Sequence, residues 1–224
     1  MEKTRKKNPL VTRTSQNQEI DAVVLSGKST VKTLESLKKF PFIRSVVVRT
    51  QGLGFARNLG VSKCNSDLVF MFDDDLIFGQ NLMDLLLKVK PGEFAIAHNR
   101  DHYSTRVFAI HRSDYFNVGG FDSSIKYVFE DGDFVLRALK NGLKLKVVPS
   151  SLYFHVEHVP NRHKGGLAVF RLNKEYCRML VKYKREVFSN LFMFFWYPKD
   201  YKIKLQDLVS KGFFMVFYII KGVK

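Results

Sequence analysis

Short apolar runs alternate with segments of helical periodicity along the first third of the chain. Three runs rich in Val, Ile and Phe predict β-strands, and they lie at 21–27, 43–50 and 66–72. Residues 29–40 have apolar side chains at three- and four-residue spacing and predict a helix that Pro41 ends. Residues 55–64 predict a second, shorter helix. This alternation favours an α/β fold with a mostly parallel sheet.

The alternation continues less regularly through the middle of the chain. A helix is predicted at 82–90, and another begins in "FEDGDFVLRALKNG" and ends at Gly142. Four more strand candidates lie at 93–100, 105–112, 144–149 and 151–159. The stretch "SDYFNVGGFD" connects the second of these strands to the later helix. The sheet is therefore expected to extend to about residue 160.

Composition changes sharply after residue 160. Residues 161–224 contain 14 Lys and Arg against 4 Asp and Glu, which leaves +10 of the net charge of +16, and they hold 14 of the 31 aromatic residues. Within 167–187, an apolar and a basic stripe both follow helical spacing. We predict three parts: a flexible basic arm at 1–18, a catalytic domain at 19–160 and a basic, aromatic, amphipathic helical tail at 161–224.

Two interpretations of the tail stay open. Its aromatic and basic residues fit helices that lie in a membrane interface and are attracted to anionic lipids. The alternative is that the aromatic residues cover the sheet of the domain or form an oligomer contact. The apolar runs 191–197 and 213–220 are shorter than the roughly 20 residues that span a bilayer.

The charge of the whole chain points to an anionic partner. A net charge of +16 and a pI near 9.8 suit nucleic acid, an anionic membrane or a phosphorylated substrate. The two cysteines, Cys64 and Cys177, rule out a disulfide framework and favour a reducing compartment. The basic, polar N-terminus lacks the apolar segment of a signal peptide. A cytoplasmic protein, peripheral on the inner face of the membrane, is expected.

Candidate chemistry centres on "LVFMFDDDLIF", residues 68–78. Asp73, Asp74 and Asp75 follow an apolar strand, and open α/β sheets bind ligands at the carboxyl ends of such strands. Three adjacent carboxylates repel one another unless a cation is bound. Hard cations such as Mn²⁺ or Mg²⁺ take carboxylate oxygens together with substrate phosphates. Taken alone, a DXD triplet is also compatible with a solvated loop.

The order of landmarks along residues 20–160 resembles family 2 glycosyltransferases. These landmarks are a Ser-Gly turn after the first strand, "GFARNLGV", "DDD", "VGGFD" and "FEDGDFVLRALKNG". The resemblance implies the GT-A fold, which is a Rossmann-like sheet flanked by helices, found in nucleotide-diphospho-sugar transferases. It also implies an inverting transfer of a sugar from a nucleotide-diphosphate donor to a glycan or lipid-linked acceptor, with Mn²⁺ or Mg²⁺ as cofactor.

The resemblance carries residue roles to matching positions. Asp131 becomes the general base, with Glu130 beside it at the helix start, where a helix N-terminus favours ionised carboxylates. The implied metal ligands are Asp75, Asp73 and His155. The implied donor-binding residues are Ser26, Gly27, Arg57, Asn58, Asp73 and Asp74. The implied acceptor-side residues are Gly119, Gly120, Phe121 and Asp122.

Each of these roles has a structural alternative. Glu130 and Asp131 also fit simple N-terminal helix charges. Arg57 also fits a solvated helix residue, and His155 a packed or surface histidine, with His158 as the reserve ligand.

One departure from the family pattern leaves the nucleotide base open. Many members follow the second strand with an Asp-rich turn, whereas "SVVVRTQGLGFARN" contains no acid.

Two other classes were weighed against the transferase. A nucleic-acid-binding protein would explain the basic charge but not the acids, so no nucleic acid is expected. A nucleotidyltransferase on a similar sheet is disfavoured, because such enzymes usually have a Gly-rich loop with Arg or Lys after the first strand. "VVLSGKSTVK" matches that loop only faintly and is not a Walker motif. The oligomeric state stays open.

Overall fold

The computed structural model describes most of the predicted catalytic domain and a few residues of the tail. The described residues are 19–27, 31–50, 52–99, 102–125, 129–156, 174, 177, 178, 182 and 183. The predicted basic arm at 1–18 and most of the tail, including the runs 191–197 and 213–220, lie outside them. Within the described part, no helix is long and apolar enough to cross a bilayer.

Eight strands and five helices follow one another along the described chain. The strands are β1 Ile20–Leu25, β2 Ile43–Val48, β3 Leu68–Asp73, β4 Leu76–Phe78, β5 Glu93–Asn99, β6 His102–His111, β7 Lys144–Val148 and β8 Tyr153–His155. The helices are α1 Lys32–Leu37, α2 Leu53–Ser62, α3 Gln80–Leu86, α4 Arg112–Val118 and α5 Glu130–Lys140. A short 3₁₀ turn, Ser150–Leu152, precedes β8.

Six of these strands form one sheet in the order β2-β1-β3-β6-β5-β7. β1 pairs in parallel with β2 and β3, and β5 pairs in parallel with β7. Only β6, among these six, runs antiparallel to its neighbours β3 and β5. The predicted α/β fold with a mostly parallel sheet is therefore confirmed. The reversal of β6 brings its first residues to the edge where β1 and β3 end, because Val107 pairs with Phe72.

Apolar side chains cover both faces of the sheet. Successive residues of β1 and β3 contribute to two different core clusters, so that Val23 and Met71 lie on one face and Val24 and Phe70 on the other. This is why those strands are continuous apolar runs and not alternating ones. On the first face, helix α2 lies very close to β1. A Cβ added at Gly60 would lie only 2.2 Å from Val23 Cγ1, so this approach requires glycine.

Three local features differ from the sequence expectations. Residues 76–78 and 153–155 form a separate two-stranded antiparallel sheet, whereas the apolar residues after the acids had no element of their own in the prediction. Helix α4 occupies 112–118, within the stretch read only as a connection. Helix α1 is shorter than the predicted 29–40. Short elements carry too few apolar positions to establish a period, so packing decides them.

The described part of the tail packs on the domain. Cys177 is 0% and Tyr183 2% exposed, and Tyr183 packs against Ile125. For these residues the structure favours the packing interpretation of the tail.

Candidate active site

The aspartate triplet forms the turn between the large and the small sheet. Asp73 ends β3, and Asp74 and Asp75 lead into β4. Buried Thr33 of α1 holds the backbone of this turn: its hydroxyl lies 2.5 Å from the Asp73 carbonyl oxygen and 3.0 Å from the Leu76 amide nitrogen. The turn thus has a defined shape that depends on a residue 40 positions earlier.

The three carboxylates have different surroundings. Asp74 Oδ2 accepts a 2.9 Å hydrogen bond from the Ser26 hydroxyl at the end of β1, beside exposed Gly27. Asp75 is 7% exposed, and its Oδ1 lies 3.3 Å from His155 Nε2. This proximity follows from the pairing of β4 with β8, in which Leu76 is opposite His155. The structure therefore brings Ser26 to Asp74 and His155 to Asp75, although these residues come from distant parts of the sequence.

Asp73 lies in a negatively charged environment. Burial raises its pKa above the ordinary value, and the nearby Asp131 and Asp75 raise it further, against the opposing effect of Arg57 and Arg106. Phe72, next to Asp73, pairs with Val107 of β6, and Thr105 of the same strand contacts Asp131, so the end of β3 and the start of α5 face one site. Three carboxylates, those of Asp73, Glu130 and Asp131, lie around Arg57, and Asp75 lies close to Asp73. A bound cation would relieve this excess of negative charge.

Helix α5 begins with the two predicted catalytic acids. Phe129, just before the helix, has φ +70°, a left-handed conformation that non-glycine residues adopt at a cost and that clusters at functional sites. Glu130 is buried, and burial together with Asp131 raises its pKa to about 7, against the opposing effect of Arg57. The Asp131 side chain remains 22% exposed. Of the two acids, Asp131 is therefore the one open to a substrate.

Arg57 is a buried cation in contact with Glu130 and Asp131. Its guanidinium is 3% exposed, donates from Nη1 to Glu130 Oε1 at 2.9 Å and lies 3.5 Å from Asp131 Oδ1. It also lies over the Phe121 ring, 4.9 Å from the centroid. Burial alone would lower its pKa, but the surrounding carboxylates raise it instead. The alternative of a solvated helix arginine is wrong, while contact with a donor phosphate stays a prediction.

Asn58 holds the loop at 119–122, which was predicted to lie on the acceptor side and is called the acceptor-side loop below. Its amide nitrogen donates to the Phe121 carbonyl at 2.8 Å and to Ser123 Oγ at 3.0 Å. Its Oδ1 accepts from the Phe121 amide at 2.9 Å and from the Tyr115 hydroxyl at 2.5 Å. These contacts occupy two donors and two acceptors, the full capacity of the side-chain amide. The structure thus links Asn58 to the acceptor-side loop, and the donor contact implied by the resemblance stays a prediction.

The two glycines of this loop are required by its backbone. Gly119 and Gly120 have φ values of +88° and +63°. A Cβ at Gly120 would lie 2.7 Å from Asn58 Oδ1. The close approach of the loop to α2 therefore needs glycine at this position.

Thr105 was not recognised in the sequence as a site residue, although it contacts both oxygens of Asp131. Its hydroxyl donates to Asp131 Oδ1 at 2.5 Å, and its amide donates to Oδ2 at 3.2 Å. The register of β6 against β5 shifts between Ile96 and Ala97, whose partners are Phe108 and Ser104, so residues 105–107 bulge out of this pairing. Bulges next to active sites redirect side chains in this way. No local pattern in the sequence marks the bulge.

The described residues do not form a complete metal cage. No group of three or more His, Cys, Asp and Glu side chains among them is arranged to hold an ion. Asp75 and His155 are adjacent, and Asp73 is close to Asp75. An ion at this position would have to take further ligands from a bound substrate, as Mg²⁺ does in many phosphate sites.

Comparison with known proteins identifies the family of this chain. Residues 11–143, more than half of the chain, match the family described as glycosyl transferase family 2. The chain belongs to this family and is a glycosyltransferase, as the landmarks predicted. The nucleic-acid-binding and nucleotidyltransferase alternatives gain no support from this match. No curated protein matches the chain.

Solved glycosyltransferases have a similar fold. A mannosyltransferase from Pyrobaculum calidifontis, in complex with GDP-Man and Mn²⁺, is 13% identical with a TM-score of 0.55, and the alignment covers 88% of this chain and 69% of that one. The catalytic domain of Drosophila β1,4-galactosyltransferase 7, in complex with xylobiose, is 15% identical with a TM-score of 0.49, covering 62% and 71% of the two chains. The family match and the mannosyltransferase structure confirm the GT-A fold expected from the sequence.

Replacing Thr105 by valine tests the link between Thr105 and Asp131. Thr105→Val keeps the shape of the side chain but removes the hydroxyl that orients the carboxylate. A hydrogen bond to a charged group contributes about 1.5–3 kcal/mol, so we expect the turnover number for glycosyl transfer to fall about 10- to 100-fold. Steady-state kinetics with a nucleotide sugar and an acceptor measures this change.

Thr105→Ser is the matched control, because it restores the hydroxyl. We expect it to recover most of the turnover, and we expect donor affinity to stay within about twofold of wild type in both variants. Equal turnover in Thr105→Val and wild type would show that the contact has no part in the reaction.

Proposed function

We propose that this chain is a divalent-metal-dependent, inverting glycosyltransferase that uses a nucleotide-diphosphate sugar and an acceptor hydroxyl. The observation that carries the proposal is the convergence of two acidic elements. The aspartates at the end of β3 and the carboxylates at the start of α5 influence one another electrostatically and share Arg57. The carboxylates at the end of β3 and those at the start of α5 suit two different tasks, which are binding a cation and accepting a proton.

Asp131 suits the role of general base. Its carboxylate is partly exposed, and both of its oxygens are oriented by Thr105. Arg57, 3.5 Å away, supports a negative charge there. As the acceptor oxygen attacks C1 of the sugar, Asp131 would take its proton. The bond between C1 and the diphosphate oxygen breaks in the same displacement, which inverts the anomeric centre.

The residues near the triplet fit Mn²⁺ or Mg²⁺. Asp75, Asp73 and His155 offer two carboxylates and one imidazole, a donor set suited to Mn²⁺ and, through its oxygens, to Mg²⁺. The excess of carboxylates over arginines favours a cation at this point. Such an ion, when bound, would neutralise charge on the diphosphate leaving group. A structural relative solved with GDP-Man and Mn²⁺ supports this assignment.

Ser26, Gly27 and Asp74 suit the donor side of the site. Ser26 and Asp74 are hydrogen-bonded at the carboxyl edge of β1 and β3, and Gly27 is exposed beside them. A nucleotide bound along this edge would have its diphosphate near Asp75. The loop at 119–122 would then receive the acceptor from the side of α4 and α5.

We also propose that the acceptor is a lipid-linked sugar or growing glycan at an anionic membrane surface. The support is the charge of residues 161–224, which contribute +10 of the chain's +16 together with 14 aromatic residues. Each Lys or Arg near an anionic leaflet contributes about 1 kcal/mol to binding. Peripheral attachment to the inner face of the membrane would bring the enzyme to such an acceptor.

Loss of Asp75 tests the metal site. We expect Asp75→Asn to lower the rate of transfer about 100-fold or more in Mn²⁺ and to weaken donor binding, because one ligand charge is removed. The exposed acid Asp84 provides a matched control in Asp84→Asn, with activity near that of wild type. Kinetics and donor titration measure both variants. Full wild-type activity in excess EDTA would contradict metal dependence.

Loss of Asp131 separates binding from chemistry. We expect Asp131→Asn to lower the turnover number about 10²- to 10⁴-fold while the donor dissociation constant changes little, since the proton transfer occurs only in the transition state. Asp67→Asn, at an exposed position, is the control. If donor affinity falls and turnover does not, Asp131 is a binding residue.

Vesicle binding tests the membrane proposal. We expect the full chain to bind vesicles of anionic lipid at low salt and to dissociate as salt screens the charges. A chain without residues 189–224 should lose this binding and keep its affinity for the nucleotide sugar. Cosedimentation measures the first quantity and donor titration the second. Equal binding to neutral vesicles, or none to either kind, would overturn the proposal.

A further inference from the structure

Asp133, two residues after the proposed base, is a fully buried carboxylate with cationic and hydroxyl partners. It is 0% exposed. From its own helix, Arg137 lies at 2.8 Å through Nε and 2.7 Å through Nη2. From the C-terminal segment, Lys182 Nζ lies at 2.8 Å and Tyr183 Oη at 2.5 Å. Two of these four contacts therefore come from residues about 50 positions later in the chain.

Lys182 also contacts the acceptor-side loop. Its Nζ lies 3.3 Å from Asp122 Oδ2, so one ammonium group joins the loop and helix α5. One turn earlier, Arg178 Nη2 lies 3.4 Å from the same Asp122 oxygen and 2.6 Å from Ser124 Oγ. The Lys182 side chain is only 20% exposed, which limits screening of these contacts by water.

These contacts join two parts of the proposed site that belong to different segments of the chain, the loop at 119–122 and the first turn of α5. Asp122 ends the loop at 119–122, and Asp133 lies in the first turn of α5 with Glu130 and Asp131. Burying a charge without partners is strongly destabilising. If Lys182 or Tyr183 were lost, the Asp133 carboxylate would keep Arg137 at Oδ2 but lose a partner at Oδ1, which favours a shift of the first turn of α5.

We infer that Lys182 and Tyr183 are positioning residues that join the acceptor-side loop to the helix carrying Asp131. This assignment rests on the proposed function, in which the loop receives the acceptor and Asp131 accepts its proton. It gives the described part of the tail a role in the reaction separate from any role at a membrane. The donor-side residues Ser26 and Asp74 follow β1 and β3 and belong to neither α5 nor the loop at 119–122, so donor binding should be unaffected.

Kinetics of Lys182→Met test the inference. Methionine keeps much of the side-chain volume but removes the ammonium group. We expect kcat/KM for the acceptor to fall about tenfold or more, while the donor dissociation constant stays within about twofold of wild type. Lys182→Arg should restore part of the loss. Lys174→Met is the matched control at an exposed position of the same segment, with kinetics near those of wild type.

Hydrogen exchange gives a readout that does not depend on activity. The Ser124 amide donates to Asp122 Oδ1 at 2.9 Å, and the Asp133 amide donates to the Phe129 carbonyl at 2.9 Å. We expect both amides to exchange several times faster in Lys182→Met, with the amides of β1 and β3 unchanged. Tyr183→Phe, which removes only a hydroxyl, should accelerate the Asp133 amide and serves as a second variant if Lys182→Met does not fold.

The outcomes separate the inference from the proposed function. If wild type transfers no sugar, the proposed function fails, and hydrogen exchange alone decides whether the segment holds the two elements. If wild type is active but Lys182→Met has unchanged acceptor kinetics and exchange, the inference is overturned. An equal loss of donor and acceptor affinity would also overturn it, since that result indicates general loss of structure.

Discussion

The excess of negative charge at the carboxyl edge of the sheet is the constraint on which the site depends. Asp73, Asp75, Glu130 and Asp131 lie near one another, and Arg57 is a buried cation in contact with Glu130 and Asp131. Arg57 and Arg106, which both act on Asp73, carry two positive charges against these four carboxylates. Holding groups that repel one another in place requires rigid support from several elements.

That support comes from strands and turns that are distant in sequence. The antiparallel β6 returns to the edge where β1 and β3 end, and its bulge presents Thr105 to Asp131. Thr33 holds the turn of the aspartates, and the pairing of β4 with β8 brings His155 to Asp75. Each contact restricts the conformation of an acidic residue. Preorganisation of this kind reduces the rearrangement needed during the reaction.

Local patterns in the sequence predict a large part of this structure. Continuous apolar runs predicted the parallel strands, because strands covered on both faces need apolar side chains throughout. Acids directly after such a run had to lie at the edge of the sheet, so the position of Asp73 and Asp75 followed from the sequence. Acids before a helical period placed Glu130 and Asp131 at the start of α5. Family membership and the GT-A fold rested on the order of these landmarks, and both are confirmed.

Tertiary packing decided the rest, because the remaining contacts join residues with no fixed spacing. Arg57 and Asn58 were recognised as functional candidates, but only the fold showed that one lies under the carboxylates and the other holds the loop at 119–122. Thr105 carried no signal, and Lys182 was only one member of the basic stripe predicted within 167–187, since a bulge and a long-range ion pair follow from how distant segments meet. Patterns with a period or a fixed order can be read along the chain, whereas contacts made across it exist only once the chain has folded.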